Sequence, residues 1–152
     1  NLGLKVEVRR NRMVIRLPGD VLFASGKDDL KGEGEKVLQA VADVIRGDEQ
    51  LKKRFFQVAG HTDNKPLKGG QFGDNWGLSV MRARRVLLYL VAATDAKNGG
   101  GGLDTNNLHA AGYGETDPIA DNANDPGRQS NRRVELVIMP DVEEMLDLKT
   151  LI

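Results

Sequence analysis

Two short stretches near the start of the chain alternate between apolar and polar positions. Leu4, Val6 and Val8 form the first and Met13, Ile15 and Leu17 the second, with Arg10-Asn11 between them as a turn signal. Successive side chains of a strand point to opposite faces, so this period of two predicts a β-hairpin. Pro18-Gly19-Asp20 breaks the pattern, Val21-Leu22-Phe23 is a short apolar piece, and the small, polar Ala24-Ser25-Gly26-Lys27 predicts a loop. Over residues 33–45 the period changes. Val37, Leu38, Val41, Val44 and Ile45 fall on one side of a 3.6-residue repeat and Gly47-Asp48 supplies a stop, which predicts an amphipathic helix. Phe55, Phe56, Val58 and Ala59 then predict a short buried strand that ends in the polar quartet Gly60-His61-Thr62-Asp63.

Asp74 or Asn75 is placed to cap a second helix. Trp76, Val80, Ala83, Leu87 and Leu90 form its apolar stripe, and Asn75, Ser79 and Arg82 follow at i, i+4 and i+7 on a neighbouring face. This helix ends near Ala93, and Asn98 followed by four glycines predicts a flexible connection. Leu108, His109, Ala110 and Ala111 read as a strand, residues 112–127 as a long turn-rich loop, and Val134, Leu136 and Ile138 as a final strand. In the tail, residues 141–152, Val142, Met145, Leu146 and Ile152 share roughly one helical side, the pattern of a short docking helix or a frayed end. Helices alternating with strands behind a hairpin predict an α+β fold of the β-α-β-α-β type, a mixed sheet with helices packed on one face, spanning residues 1–140.

Composition narrows the function classes. A chain of 152 residues can bury a core without disulfide or metal staples, and 39% hydrophobic with 29% charged residues is a folded composition rather than a disordered one. Twenty-two basic and twenty-two acidic residues cancel, which removes any global attraction to nucleic acid or an anionic membrane and leaves recognition to local chemistry. The absence of cysteine excludes disulfides and thiolate sites but leaves the compartment open. The apolar run over residues 86–93 is far short of the roughly 20 residues that span a bilayer. The first residues lack both an initiating Met and the layout of a signal peptide, so the chain reads as a fragment whose membrane anchor, if any, lies in the missing N-terminal part.

Enzyme chemistry finds little support. There is no Gly-x-Ser-x-Gly elbow, and the two histidines, His61 and His109, come without the H-x-x-x-H spacing that would favour a metal site with Asp63. Ala24-Ser25-Gly26-Lys27-Asp28 lacks the first glycine and the terminal Ser or Thr of a phosphate loop, and Gly112-Tyr113-Gly114 lacks the third glycine of a dinucleotide fingerprint. No cofactor is implied. What remains is a complementary pair: Asp63 at a strand end and Arg82 on the following helix. Such a pair suits a zwitterion, its carboxylate held by the guanidinium and its ammonium by the aspartate. The spacing equally allows Asp63 and Arg82 to pair with each other as a structural salt bridge.

Four ordered blocks resemble one family. They are Gly60-His61-Thr62-Asp63-Asn64-Lys65-Pro66, the stretch from Asn75-Trp76 through Ser79 and Arg82 to Val86, Gly112-Tyr113-Gly114-Glu115-Thr116-Asp117-Pro118, and Gly127-Arg128-Gln129-Ser130-Asn131-Arg132-Arg133-Val134-Glu135. Together they resemble the OmpA C-terminal domain family, with a lean toward its MotB-like branch. The resemblance implies a non-enzymatic periplasmic domain that binds peptidoglycan through the diaminopimelate of the stem peptide, anchoring a membrane or motor protein to the cell wall. By position it assigns the ligand's ammonium to Asp63, its carboxylate to Arg82, a supporting contact to Asn75 and a second cationic contact to Arg132. His61 and Trp76 match the motif and are expected to be structural, with Trp76 in the core stripe. Many relatives carry an Asp directly after the Phe of the first loop, where this chain has Ala24-Ser25, so Ser25 or loop backbone takes that place or the contact is missing. The Gly99 to Gly102 run is no family hallmark and reads as a local insertion. The alternative reading is a homodimerisation or partner-docking module of a flagellar-stator or envelope complex with weak wall binding.

Overall fold

The computed structural model describes residues 5–140. Its strands are β1 (Lys5–Arg9), β2 (Arg12–Pro18), β3 (Phe56–His61), β4 (Leu108–Gly112) and β5 (Arg133–Ile138). They form one sheet in the order β1-β2-β5-β3-β4, in which β3 and β4 are parallel and every other pair is antiparallel. Arg10 and Asn11 turn the β1-β2 hairpin with positive φ at both positions, 52° and 61°, the backbone sense that matches the twist of the flanking strands. The helices are α1 (Gly19–Leu22), α2 (Gly32–Gly47), α3 (Asn75–Val91) and α4 (Asp125–Asn131). A parallel pair needs a long crossover, and α3 supplies the one between β3 and β4. The α+β class and the helix-covered mixed sheet match the sequence reading.

One face of the sheet carries the main core. Leu17, Phe56, Val58, Val134, Leu136 and Ile138 meet Leu38, Val41, Ala42 and Ile45 from α2 and Ala83, Val86 and Leu90 from α3. The opposite face holds a smaller cluster, Val14, Ala59 and Val137, packed under Tyr113 and Met139. The central strand β5 is therefore buried on both faces along its whole length, and that burial includes Arg133 and Glu135.

Several expectations are corrected. Val44 is 61% exposed and Ala42 takes its place in the α2 interface, while Phe55 stands before the start of β3 and is 56% exposed. Trp76 is 54% exposed, and Val80 is exposed too. The buried side of α3 is Leu78, Ser79, Arg82, Ala83, Val86 and Leu90, so the face that reads as polar is the one that turns inward. Trp76 instead lies across Gly114, whose missing side chain leaves the room.

The glycine run is packed rather than loose. The backbone N–H groups of Gly101, Gly102 and Leu103 donate to the carbonyls of Tyr89, Ala92 and Leu90 at 2.9, 2.8 and 2.9 Å, satisfying acceptors that the end of α3 leaves open. A Cβ on Gly101 would stand 2.5 Å from the Leu90 carbonyl, so the close approach needs glycine. Helix α4 begins within the stretch expected to be loop and runs past its end to Asn131. Its sequence, DPGRQSN, has no apolar period; what starts it is an Asn124 side chain that accepts from the Gly127 amide, with Pro126 in the first turn. The expected docking helix at 141–152 lies outside the described residues.

Candidate functional site

The C-terminal end of β3, the first turns of α3, the loop after α1 and the start of β5 meet at one end of the sheet. Asp63 sits there just beyond β3, 7% exposed. Its Oδ1 accepts from the Lys65 amide at 2.9 Å and its Oδ2 from Arg132 Nη1 at 2.6 Å. The loop that carries it is fixed on both sides: the Thr62 amide donates to the Gly114 carbonyl at 2.8 Å, and Asn75 Nδ2 donates to the Lys65 carbonyl at 3.0 Å. Asp74, not Asn75, is the helix cap, accepting from the Gly77 amide. This frees Asn75 to staple the loop.

Arg82 is 7% exposed. Its Nε donates to the Lys27 carbonyl at 2.8 Å and its Nη2 to the Ala24 carbonyl at 3.2 Å, and its guanidinium carbon lies 4.9 Å from the centre of the Phe23 ring. Burial, and secondly the like charge of Arg132, push its pKa below the usual arginine value. Asp63 and Arg82 do not pair with each other. Asp63 takes Arg132, and Arg82 ties down the loop containing Ala24 and Ser25.

All three charged residues nevertheless line one open cleft of about 350 Å³. Phe23, Ser25 and Leu78 contribute to its walls, as do two charges the sequence reading did not single out, Asp20 and Lys65. Asn75 does not line it, and its part is the loop staple. A sequence signal for Asp20 was present in the Pro18-Gly19-Asp20 break at the end of β2. The Gly19 amide donates to the Arg132 carbonyl at 2.9 Å, and a Cβ there would stand 2.6 Å from the same oxygen, so glycine lets α1 press against the start of β5.

Beneath the cleft runs a buried polar network. The His61 ring stacks on Tyr113 with centroids 4.7 Å apart, and its Nε2 lies 3.4 Å from Glu135 Oε1, too far for a well-formed hydrogen bond. Arg133 Nε donates to Glu135 Oε2 at 2.8 Å, and its other nitrogens donate to the carbonyls of Asn131 and Asp117. Asp117 in turn receives a two-pronged contact from Arg9 at 2.7 and 2.6 Å. The network thus ties the hairpin, the β4-α4 loop and β5 together. His61 is buried and does not line the cleft. His109 pairs in register with Gln57, four positions before His61 on β3, so the two histidines stand at different levels of the sheet.

Burial pushes His61 below the usual histidine value. For Glu135 burial acts upward, but His61 and Arg133 outweigh it and bring the carboxyl down to about 2. The signs agree. Below pH ~6.5 the unfolded chain protonates a histidine that the folded one keeps neutral, and below pH ~4.3 it protonates a glutamate that the folded one keeps charged. Stability is expected to be full above neutrality and to fall in both windows as pH drops. Urea midpoints measured against pH should show the first fall in the native sequence and not in His61→Gln; identical profiles would assign it elsewhere.

The five-stranded sheet and its helices have the architecture of MotB periplasmic domains. The periplasmic domain of Helicobacter pylori MotB superposes with a TM-score of 0.80 at 25% identity, covering 98% of this chain and 89% of that one. The cell wall anchor of the T6SS from Pseudomonas aeruginosa does so with a TM-score of 0.72 at 34% identity, covering 91% and 88%. In sequence the chain is 32% identical to Motility protein B of Bacillus subtilis over 137 residues, 90% of this chain and 49% of that protein. It is 30% identical to the probable lipoprotein YiaD of Escherichia coli over 138 residues, 91% and 56%. Residues 22–132 match the OmpA family, and the chain belongs to it. It spans about half the length of these curated relatives.

Proposed function

We propose that this domain binds peptidoglycan without cutting it, by gripping the free zwitterionic end of diaminopimelate in the stem peptide, and so fastens a larger envelope protein to the cell wall from the periplasmic side. The observation that carries the reading is the convergence of Asp63, Arg82 and Arg132, 69 positions apart at the extremes, on one solvent-open cleft. Two guanidiniums side by side form a receptor for carboxylate, and carboxylates opposite them form one for ammonium. Neither histidine lines the cleft. A relative described as a cell wall anchor, together with motility protein B relatives, supports the same assignment.

Pull-down on purified sacculi tests it. A well-desolvated charged contact is worth about 2–5 kcal/mol when one partner is truncated. Arg82→Ala and Asp63→Ala are each expected to weaken retention more than tenfold, and a stem peptide carrying meso-diaminopimelate to compete where the same peptide carrying lysine, whose side chain ends in an ammonium without a carboxylate, does not. Wild-type retention by both variants would sink the assigned site.

A further inference from the structure

We propose that the helix-side face of the β1-β2 hairpin is a docking groove for the chain's own C-terminal segment, residues 141–152. On the edge strand β1 the usual order of exposure is inverted. Glu7 and Arg9 are half-buried, whereas Val6 is 61% and Val8 76% exposed. The charged side is occupied, since Glu7 pairs with Arg16 and Arg9 with Asp117. The apolar side continues onto β2, where Val6 stands opposite Ile15 and Val8 opposite Met13, itself exposed. Met13 is in register with Ile138, and Ile138 with Phe56, so this is the face on which the main core is built. Helix α3 packs on β3 and β4, and α2 lies next to it, with Gln39 and Arg46 reaching Tyr89 and the Gly101 carbonyl on that flank. The other flank of α2 carries Val37, Ala40 and the exposed Val44. The helix layer thus stops one helix short of the sheet's edge. Apolar side chains stand open on both sides of the gap, and among the described residues nothing covers them.

Residues 141–152 fit this gap by position, pattern, length and charge. The chain leaves β5 at Ile138, opposite Met13, and its exit is fixed: the Met139 amide donates to the Phe55 carbonyl at 2.8 Å and Arg54 Nη2 donates to the Met139 carbonyl at 3.0 Å. Beyond that point Val142, Met145, Leu146 and Ile152 recur on one helical side. A helix over 141–152 is about 18 Å long at 1.5 Å per residue, against about 17 Å for the five residues of β1. The segment carries Asp141, Glu143, Glu144 and Asp147 against a single Lys149. It starts at the end of the sheet where Arg10 and Arg12 flank the hairpin turn, so its charge complements the site. A second copy set hairpin to hairpin would bring those arginines against each other. Tethering at Pro140 keeps the segment at a high local concentration over the groove.

The chain has no cysteine, so a single Val8→Cys in the full chain reports on the groove through its rate of reaction with a thiol reagent. Leu88→Cys, at an exposed site on α3, is the reference, and each rate is divided by that of the same variant unfolded in urea to remove intrinsic reactivity. Val8 is the more exposed of the two positions, so in an open groove its cysteine reacts at least as fast as the reference. With the segment docked it is expected to react at least about tenfold more slowly. Adding Met145→Asp with Leu146→Asp, which alters no residue of the sheet or of α2, is expected to restore the fast rate and to leave Leu88→Cys unchanged. Circular dichroism checks that each variant is folded. A fast rate for Val8→Cys in the otherwise native chain would overturn the proposal. So would a slow rate that the double substitution does not relieve, which would assign the cover to another part of the chain, and so would a slow rate that appears only as protein concentration rises, which would assign it to a second copy.

Discussion

Arg133→Ala is expected to destabilise the domain by about 3–5 kcal/mol, because it leaves a carboxylate buried without its partner. The Arg133 side chain is 1% exposed and Glu135 beside it 7%. With the guanidinium gone, Glu135 faces only His61 at 3.4 Å, and the carbonyls of Asn131 and Asp117 lose their donors. Urea unfolding read by circular dichroism measures the loss, and a change under about 1 kcal/mol would contradict a buried pair. The volume-matched double replacement Arg133→Met with Glu135→Leu is expected to recover much of it, since removing both charges also removes their desolvation cost. The single variant should in addition lose stability less steeply below pH ~4.3 than the native chain, because Arg133 is one of the two groups that hold the Glu135 carboxyl at about 2 and without it the gap to the unfolded value narrows.

This network shows where the sequence was legible and where it was not. A period of two exposed the hairpin and β5, and a period of 3.6 exposed α2 and α3, because burial on one face writes itself directly into apolar spacing. The errors fall where a buried position is not apolar. On α3 the interior includes Ser79 and Arg82; Ser79 bonds the Gly114 amide and the Trp76 carbonyl, and Arg82 bonds two carbonyls of the first loop. A stripe drawn through hydrophobic residues alone therefore came out rotated, carrying Trp76 and Val80 into a core that does not hold them. Helix α4 escaped for the same reason: it is held by an asparagine cap and by Asn131, which bonds the backbone of Ile119 and Ala120, not by an apolar face.

The charged cleft was half visible. Asp63 and Arg82 stand out as an isolated complementary pair, but spacing carries no information on which partner each chooses. The Arg132 contact to Asp63 bridges 69 positions and depends on how β5 enters the sheet between β2 and β3. Asp20 was hidden in plain view, since a Pro-Gly-Asp break reads as punctuation until Gly19 is seen against Arg132. The packed glycine run illustrates the converse. Composition suggests freedom, whereas Gly100 and Gly101 are glycine because the backbone carbonyls of Leu90, Ala92 and Ala93 lie too close for any side chain.

Gly60→Ala is the second large effect expected, and it links fold to site. Gly60 lies on β3 where α3 crosses, and a Cβ there would run into the backbone carbonyl of Ser79. Backbone cannot swing aside as a side-chain tip can, so the helix must move as a body. Overpacking of this kind costs about 1–3 kcal/mol and more where nothing yields, and a loss near 3 kcal/mol is expected. The displaced element carries Asn75 and Arg82, whereas Asp63 stays on the end of β3, so relief of the clash pulls the two halves of the cleft apart. Retention on sacculi should therefore drop by at least tenfold even at temperatures where the variant remains folded. A variant that loses stability but keeps full retention would show that the cleft tolerates movement of α3, and would place the grip on β3, β5 and α1 alone.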